Sequence, residues 1–256
     1  MSWLGDFYRR WRVRRWPLDD SDWRSAVAHS RYARSLPAND RQRLRELTAA
    51  FLNRKAIDGA HDLSLTSGMR ALIAVRACLP ILNLGLDFYR EWYGMIVYPG
   101  DFRVRHEYTD EAGVEHRGWR ELCGESMEQG PIVLSWETLV SDEDYEGCDL
   151  VVHECAHKLD ILNGPADGFP PLHAGMDPGA WTRTFTEAYT HMNTALNENR
   201  ETALDPYAAS DPAEFFAVAS ETFFSAPWVL QQQAPGVYAA LAAFYRQDTA
   251  RWLSPP

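Results

Sequence analysis

The stretch His153-Glu154-Cys155-Ala156-His157 constrains this chain more than any other part of it. On an α-helix, residues four apart lie about 40° apart around the axis and one turn along it. Both imidazoles therefore leave the same face. Val151, Val152, Ala156 and Leu159 surround them, which makes the helix apolar and so buried. A surface helix with two solvated histidines fits that company poorly, because buried imidazoles need partners. The pattern predicts a helix that begins after Glu146-Gly147, runs to Leu162 and stops at Asn163-Gly164-Pro165.

Two imidazoles on one face, with a glutamate beside the first, are what a hydrolytic zinc site needs. His153 and His157 can each give Zn²⁺ a ring nitrogen. Glu154, rotated toward the cleft, is placed to take the proton of a water whose pKa zinc lowers, as that water attacks a carbonyl. A catalytic zinc usually has a third protein ligand and one open position. The downstream candidates are His173, His191, Glu187, Glu214 and Glu221. Position 163 is Asn, which excludes the metzincin arrangement with its third histidine there. Glu214 and Glu221 fall seven residues apart on a predicted helix over 211–225 and share a face. Either can reach the metal while the other supports a ligand from behind. A glutamate in a first helical turn, as Glu214 is, can also be explained by the helix dipole alone. Asp160, one turn beyond His157, can orient an imidazole from behind.

The rest of the chain reads as helices, a small sheet, then helices again, a mainly helical α+β domain. Asn39 or Asp40 is expected to cap a helix through Leu44, Leu47, Phe51 and Leu52, and Thr66-Ser67 to start a second. Residues 95–98 and 131–136 read as strands, with a hairpin between them that turns at 110–113. Residues 164–179 hold four Pro and four Gly and read as a loop. Helices over 180–199, 211–225 and 236–252 are expected to close the chain. The whole, 1–256, is read as one metallopeptidase domain: a basic, aromatic segment 1–30, helices and sheet over 31–145, and a helical zinc-site part over 146–256. With 46% apolar residues there is ample material for a core, and a net charge of −11 argues against direct nucleic-acid binding. No signal peptide or membrane-spanning run is visible, and Cys78, Cys123, Cys148 and Cys155 show no paired metal spacing, so a cytoplasmic location is expected.

The string from His153 to Asp160, with Asn163-Gly164, the run Tyr207 to Val218 and the run Ser220 to Pro227, resembles the Mlc titration factor A family. Leu47 to Leu52 with Lys55, Leu82 to Leu86 and Val133 to Trp136 fit as well. The likeness spans about residues 30 to 250. It implies a cytoplasmic zinc peptidase of the gluzincin type, aminopeptidase-like on small peptide substrates, whose relatives also bind a glucose-responsive transcriptional repressor. Carried over by position, His153, His157 and Glu214 are the metal ligands, Glu154 is the base, and Tyr207 steadies the oxyanion. Cys155 departs from the family's usual Phe and is expected to affect packing more than chemistry. The alternative implied function is a regulator that sequesters a repressor, with proteolysis secondary.

Overall fold

The computed structural model describes residues 18–100, 102–109, 115–122, 124–126, 130–141 and 148–255. The turn expected at 110–113 and the arginine-rich first sixteen residues lie outside them. In chain order the strands are β1 (Ala56–Gly59), β2 (Gly94–Tyr98), β3 (Phe102–Thr109), β4 (Glu115–Leu122), β5 (Gly124–Ser126) and β6 (Ile132–Ser135). The α-helices are α1 (Asp20–Ala28), α2 (Arg31–Ser35), α3 (Ala38–Arg54), α4 (Ser67–Cys78), α5 (Trp136–Ser141), α6 (Leu150–Asp160), α7 (Pro178–Asn197), α8 (Pro212–Ser225), α9 (Pro227–Gln233) and α10 (Pro235–Tyr245). The protein is a mainly helical α+β fold, as its sequence predicts.

β1, β2 and β6 run parallel in the spatial order β1-β2-β6, and β5 pairs antiparallel to β6. The apolar residues of β2 and β6 are buried on both faces, which parallel strands require. Gly94 lets β2 approach β1: a Cβ there would lie 2.4 Å from the Ala56 carbonyl oxygen. β3 and β4 form a separate antiparallel pair where a hairpin is expected. α4 packs on α1 and α3, and α6 is sandwiched between the sheet edge at β5 and helix α8. Among the described residues no helix is long and apolar enough to cross a membrane.

Several element ends differ from expectation, each for a local reason. Helix α3 starts from Pro37, whose carbonyl accepts from Arg41 N–H at 2.9 Å, so Asn39 and Asp40 sit inside the first turn and cap nothing. Thr66 does cap α4, its hydroxyl accepting from Met69 N–H at 3.2 Å. Trp136 begins α5 instead of ending a strand. Pro227 and Pro235 cannot continue a preceding helix but start one readily, which inserts α9 before α10. The last helix ends at Arg246, in the left-handed conformation (φ 53°), and Thr249–Arg251 forms only a 3₁₀ turn.

Candidate metal centre

Helix α6 is started by Asp149, whose Oδ1 accepts from Val151 and Val152 N–H at 3.1 Å each. The sequence carries that signal, an Asp directly before an apolar helical run, and the helix begins at Leu150, two residues beyond the expected start. His153 and His157 leave the same face of α6, with Nε2 atoms 3.2 Å apart. Helix α8 faces them. Asp211 caps it through Ala213 and Glu214 N–H at 2.9 and 3.0 Å. That cap sets Glu214 in the first turn, where its Oε2 lies 3.0 Å from His153 Nε2 and 3.4 Å from His157 Nε2.

These three atoms form a triangle with edges of 3.0, 3.2 and 3.4 Å. A tetrahedron built on bonds of about 2.0–2.1 Å has edges of about 3.3 Å. The triangle therefore matches one face of such a coordination shell, and no described residue takes the fourth corner. Among the described residues this is the one cluster of three His, Cys, Asp or Glu donors close enough to share an ion. His173 instead points Nε2 at the Phe244 carbonyl, 2.7 Å away. His191 and Glu187 line a separate cavity of about 460 Å³ beside α7 and α10.

Glu221, two turns along α8 from Glu214, stands behind His153. Its Oε1 lies 2.5 Å from His153 Nδ1, and its Oε2 accepts from Asp149 N–H at 2.9 Å. An Nδ1–H donated to this carboxylate leaves the Nε2 lone pair aimed into the triangle, the arrangement that orients metal-binding imidazoles. The two roles open to Glu214 and Glu221 are thus separated by position on one helix face. Asp160 does not orient an imidazole. Its Oδ2 accepts from Gly168 N–H at 2.8 Å and pins the following loop instead.

The charge balance favours a cation. Glu154, Glu214 and Glu221 surround two imidazoles in a largely buried space. Burial alone would lower the pKa of His153, yet the carboxylates of Glu221 and Glu214 raise it well above the usual histidine value. Burial opposes the charge on Glu214 too, but hydrogen bonds and charge from both imidazoles outweigh it and hold its carboxyl far below the usual range. Without an ion, a proton must do the work of a positive charge among facing acceptors. Glu154 is different. It is 3% exposed, its Oε2 has no hydrogen-bond partner, and burial raises its pKa to about 7 against the pull of both histidines. Tyr207, on the 3₁₀ turn Pro206–Ala209, donates its hydroxyl to Glu214 Oε1 at 3.1 Å and is 36% exposed, at the mouth of the site. Cys155 is fully buried on the far side of α6, beside Tyr89, and burial pushes its thiol up to about 12. Such a thiol packs and does not react.

A profile of the family described as "Glucose-regulated metallo-peptidase M90" matches residues 6–246. The chain is also similar to proteins named Mlc titration factor A. It is 37% identical over 247 residues to the one from Pectobacterium atrosepticum, covering 91% of this chain and 92% of that protein. Against the Yersinia enterocolitica protein it is 38% identical, with 89% and 86% covered. Against that of Klebsiella pneumoniae subsp. pneumoniae it is 35% identical, with 91% of each covered.

Proposed function

The chain belongs to the glucose-regulated metallopeptidase family M90, and from that membership and the geometry of its site we propose that it is a zinc-dependent peptidase, aminopeptidase-like. The observation that carries this reading is the triangle of His153 Nε2, His157 Nε2 and Glu214 Oε2, with a buried, partly unpartnered Glu154 on the same helix. Two imidazoles and one carboxylate, with no described residue at the fourth corner, make a hydrolytic donor set, since a structural zinc fills all four positions from the protein. Bound there, zinc would acidify a water and polarise the substrate carbonyl.

The remaining steps belong to the chain's own residues. Glu154, buried and with Oε2 unpartnered, accepts a proton from the attacking water and can return it to the leaving amine. Tyr207 turns its hydroxyl from Glu214 toward the substrate oxygen as charge grows there. Glu221 keeps His153 in the tautomer that binds. The aminopeptidase preference and a cytoplasmic location rest on the family likeness. Elemental analysis of the freshly purified protein, paired with cleavage of a peptide library, tests the proposal. About one zinc per chain and metal-dependent cleavage at peptide N-termini are expected. A protein that neither holds nor takes up a transition metal would overturn it.

The relatives' name motivates a second role, titration of a glucose-responsive repressor. Calorimetry with that repressor from a related bacterium tests it, and the absence of binding at micromolar concentrations would remove it while leaving the peptidase reading untouched.

A further inference from the structure

Behind the metal centre lies a second layer of charge that the proposed chemistry does not use. Arg76, on α4, is 4% exposed and donates to the carbonyls of Leu139 at 3.0 Å and His29 at 3.4 Å. Its Nε lies 3.9 Å from Asp149 Oδ2. Asp149 spends its other oxygen on the first amides of α6, and gives its own N–H to Glu221 Oε2 at 2.9 Å. Glu221 in turn holds His153 Nδ1. One buried path thus runs from a guanidinium anchored between two other segments, through the start of the ligand helix, to the back of a ligand.

We propose that Arg76 and Asp149 are positioning residues of the metal centre, acting on His153 through Glu221. The inference rests on the metal-binding reading above. A capping aspartate needs only its carboxylate, so the cap alone does not account for the aim of its amide. Asp149 is extended (φ −159°, ψ 93°), the conformation in which one residue points its side chain back over the helix start and its N–H across to α8. The cap bonds on one oxygen and Arg76 facing the other together hold that conformation. Glu221 then receives a fixed donor, and its second oxygen is held on the Nδ1–H of His153. With that residue loosened, the imidazole gains freedom to turn and its Nε2 leaves the triangle.

The experiment measures zinc affinity by chelator competition, together with the melting temperature of the metal-free protein. The variants are Asp149→Ala and Arg76→Met, each alone and combined with Glu221→Ala. Loss of a partner behind a metal ligand weakens metal binding by about 10–100-fold. Each single variant should therefore raise the zinc Kd by about tenfold or more, and add little once Glu221 is gone. A residue that merely stabilises the fold would lower the melting temperature and leave the Kd of the folded protein unchanged. A Kd within threefold of wild type in the single variants, or a full additional loss in the Glu221→Ala background, would overturn the inference. Should Asp149→Ala fail to fold, Asp149→Asn keeps the cap and removes only the charge facing Arg76, with the same expectation and the same disproof. Wild-type protein that binds no zinc would instead sink the peptidase reading itself.

Discussion

Glu154 and its neighbours on the metal-facing side differ in what their loss should do. Glu154→Gln preserves shape and hydrogen bonding but cannot accept a proton. Turnover should fall about 10²–10⁴-fold, the usual contribution of a general base, while zinc content stays at wild type. His157→Ala and Glu214→Ala each remove a corner of the triangle, so they should lose metal and activity together. Elemental analysis beside kinetics separates the cases, and loss of zinc from Glu154→Gln would make that residue a ligand. Tyr207 offers a second separation. Its hydroxyl rests on Glu214 Oε1, yet the residue is 36% exposed, so the bond can be exchanged for one to substrate. Tyr207→Phe should lower kcat about 10²–10³-fold with little change in KM, zinc occupancy or melting temperature. A purely structural hydroxyl would cost about 1 kcal/mol of stability and leave kcat alone.

At the scale of elements, the site depends on how α8 is presented to α6, and the loop between α6 and α7 controls that presentation. Gly168 stands at its centre. Its N–H goes to Asp160 at the end of α6, and its carbonyl accepts from Trp181 Nε1 at 3.0 Å. Its φ is +77°, and a Cβ there would lie 2.6 Å from the Pro212 carbonyl oxygen, at the start of α8. Gly168→Ala therefore meets both a left-handed backbone and a clash with backbone. About 1–3 kcal/mol of stability should be lost, with weaker zinc binding, because Pro212 is two residues from Glu214. Unchanged melting and zinc affinity would show that the loop does not support the helix. No sequence signal distinguishes this glycine from its neighbours in a Pro- and Gly-rich tract, since its contact partner lies more than forty residues away. The same limit explains why spacing does not tell Glu214 from Glu221, since the histidines they face lie more than fifty residues away. What local chemistry determines is legible: the ligand helix, the Thr66 cap, the existence of β2 and β6. β1 is not, because Ala56-Ile57-Asp58-Gly59 holds one β-branched residue beside an Asp and a Gly, types depleted in strands.

Across the whole molecule, the buried cations share one task. The protein carries a net charge of −11, yet Lys55, Arg70, Arg76 and Lys158 are all buried, and each reaches backbone carbonyls. Arg70 takes those of Ile57 and Leu65, and Lys158 that of Gly130. Lys55 takes those of Tyr89 and Trp92 and lies 4.4 Å from the Trp92 ring centre. Carbonyls of connections, of helix ends and of the edge strand β1 thereby gain buried donors. Lys55 makes the cost of this measurable. Burial lowers its pKa from the ordinary 10.5 to about 7. Between those values the unfolded chain binds a proton that the folded protein does not, so stability must rise with pH across that window. Below about 7 the burden is constant, and above about 10.5 it is gone. Lys158, lowered to about 8, acts in the same direction but is present in wild type and variant alike, so it largely drops out of a difference. Urea unfolding of wild type and Lys55→Met at pH 7 and pH 9.5 isolates the effect. Wild type should gain on the variant over that interval, by at most about 1.4 kcal/mol per pH unit. A difference that stays flat or shrinks would mean that the two carbonyls and the Trp92 ring keep Lys55 charged well above neutral pH.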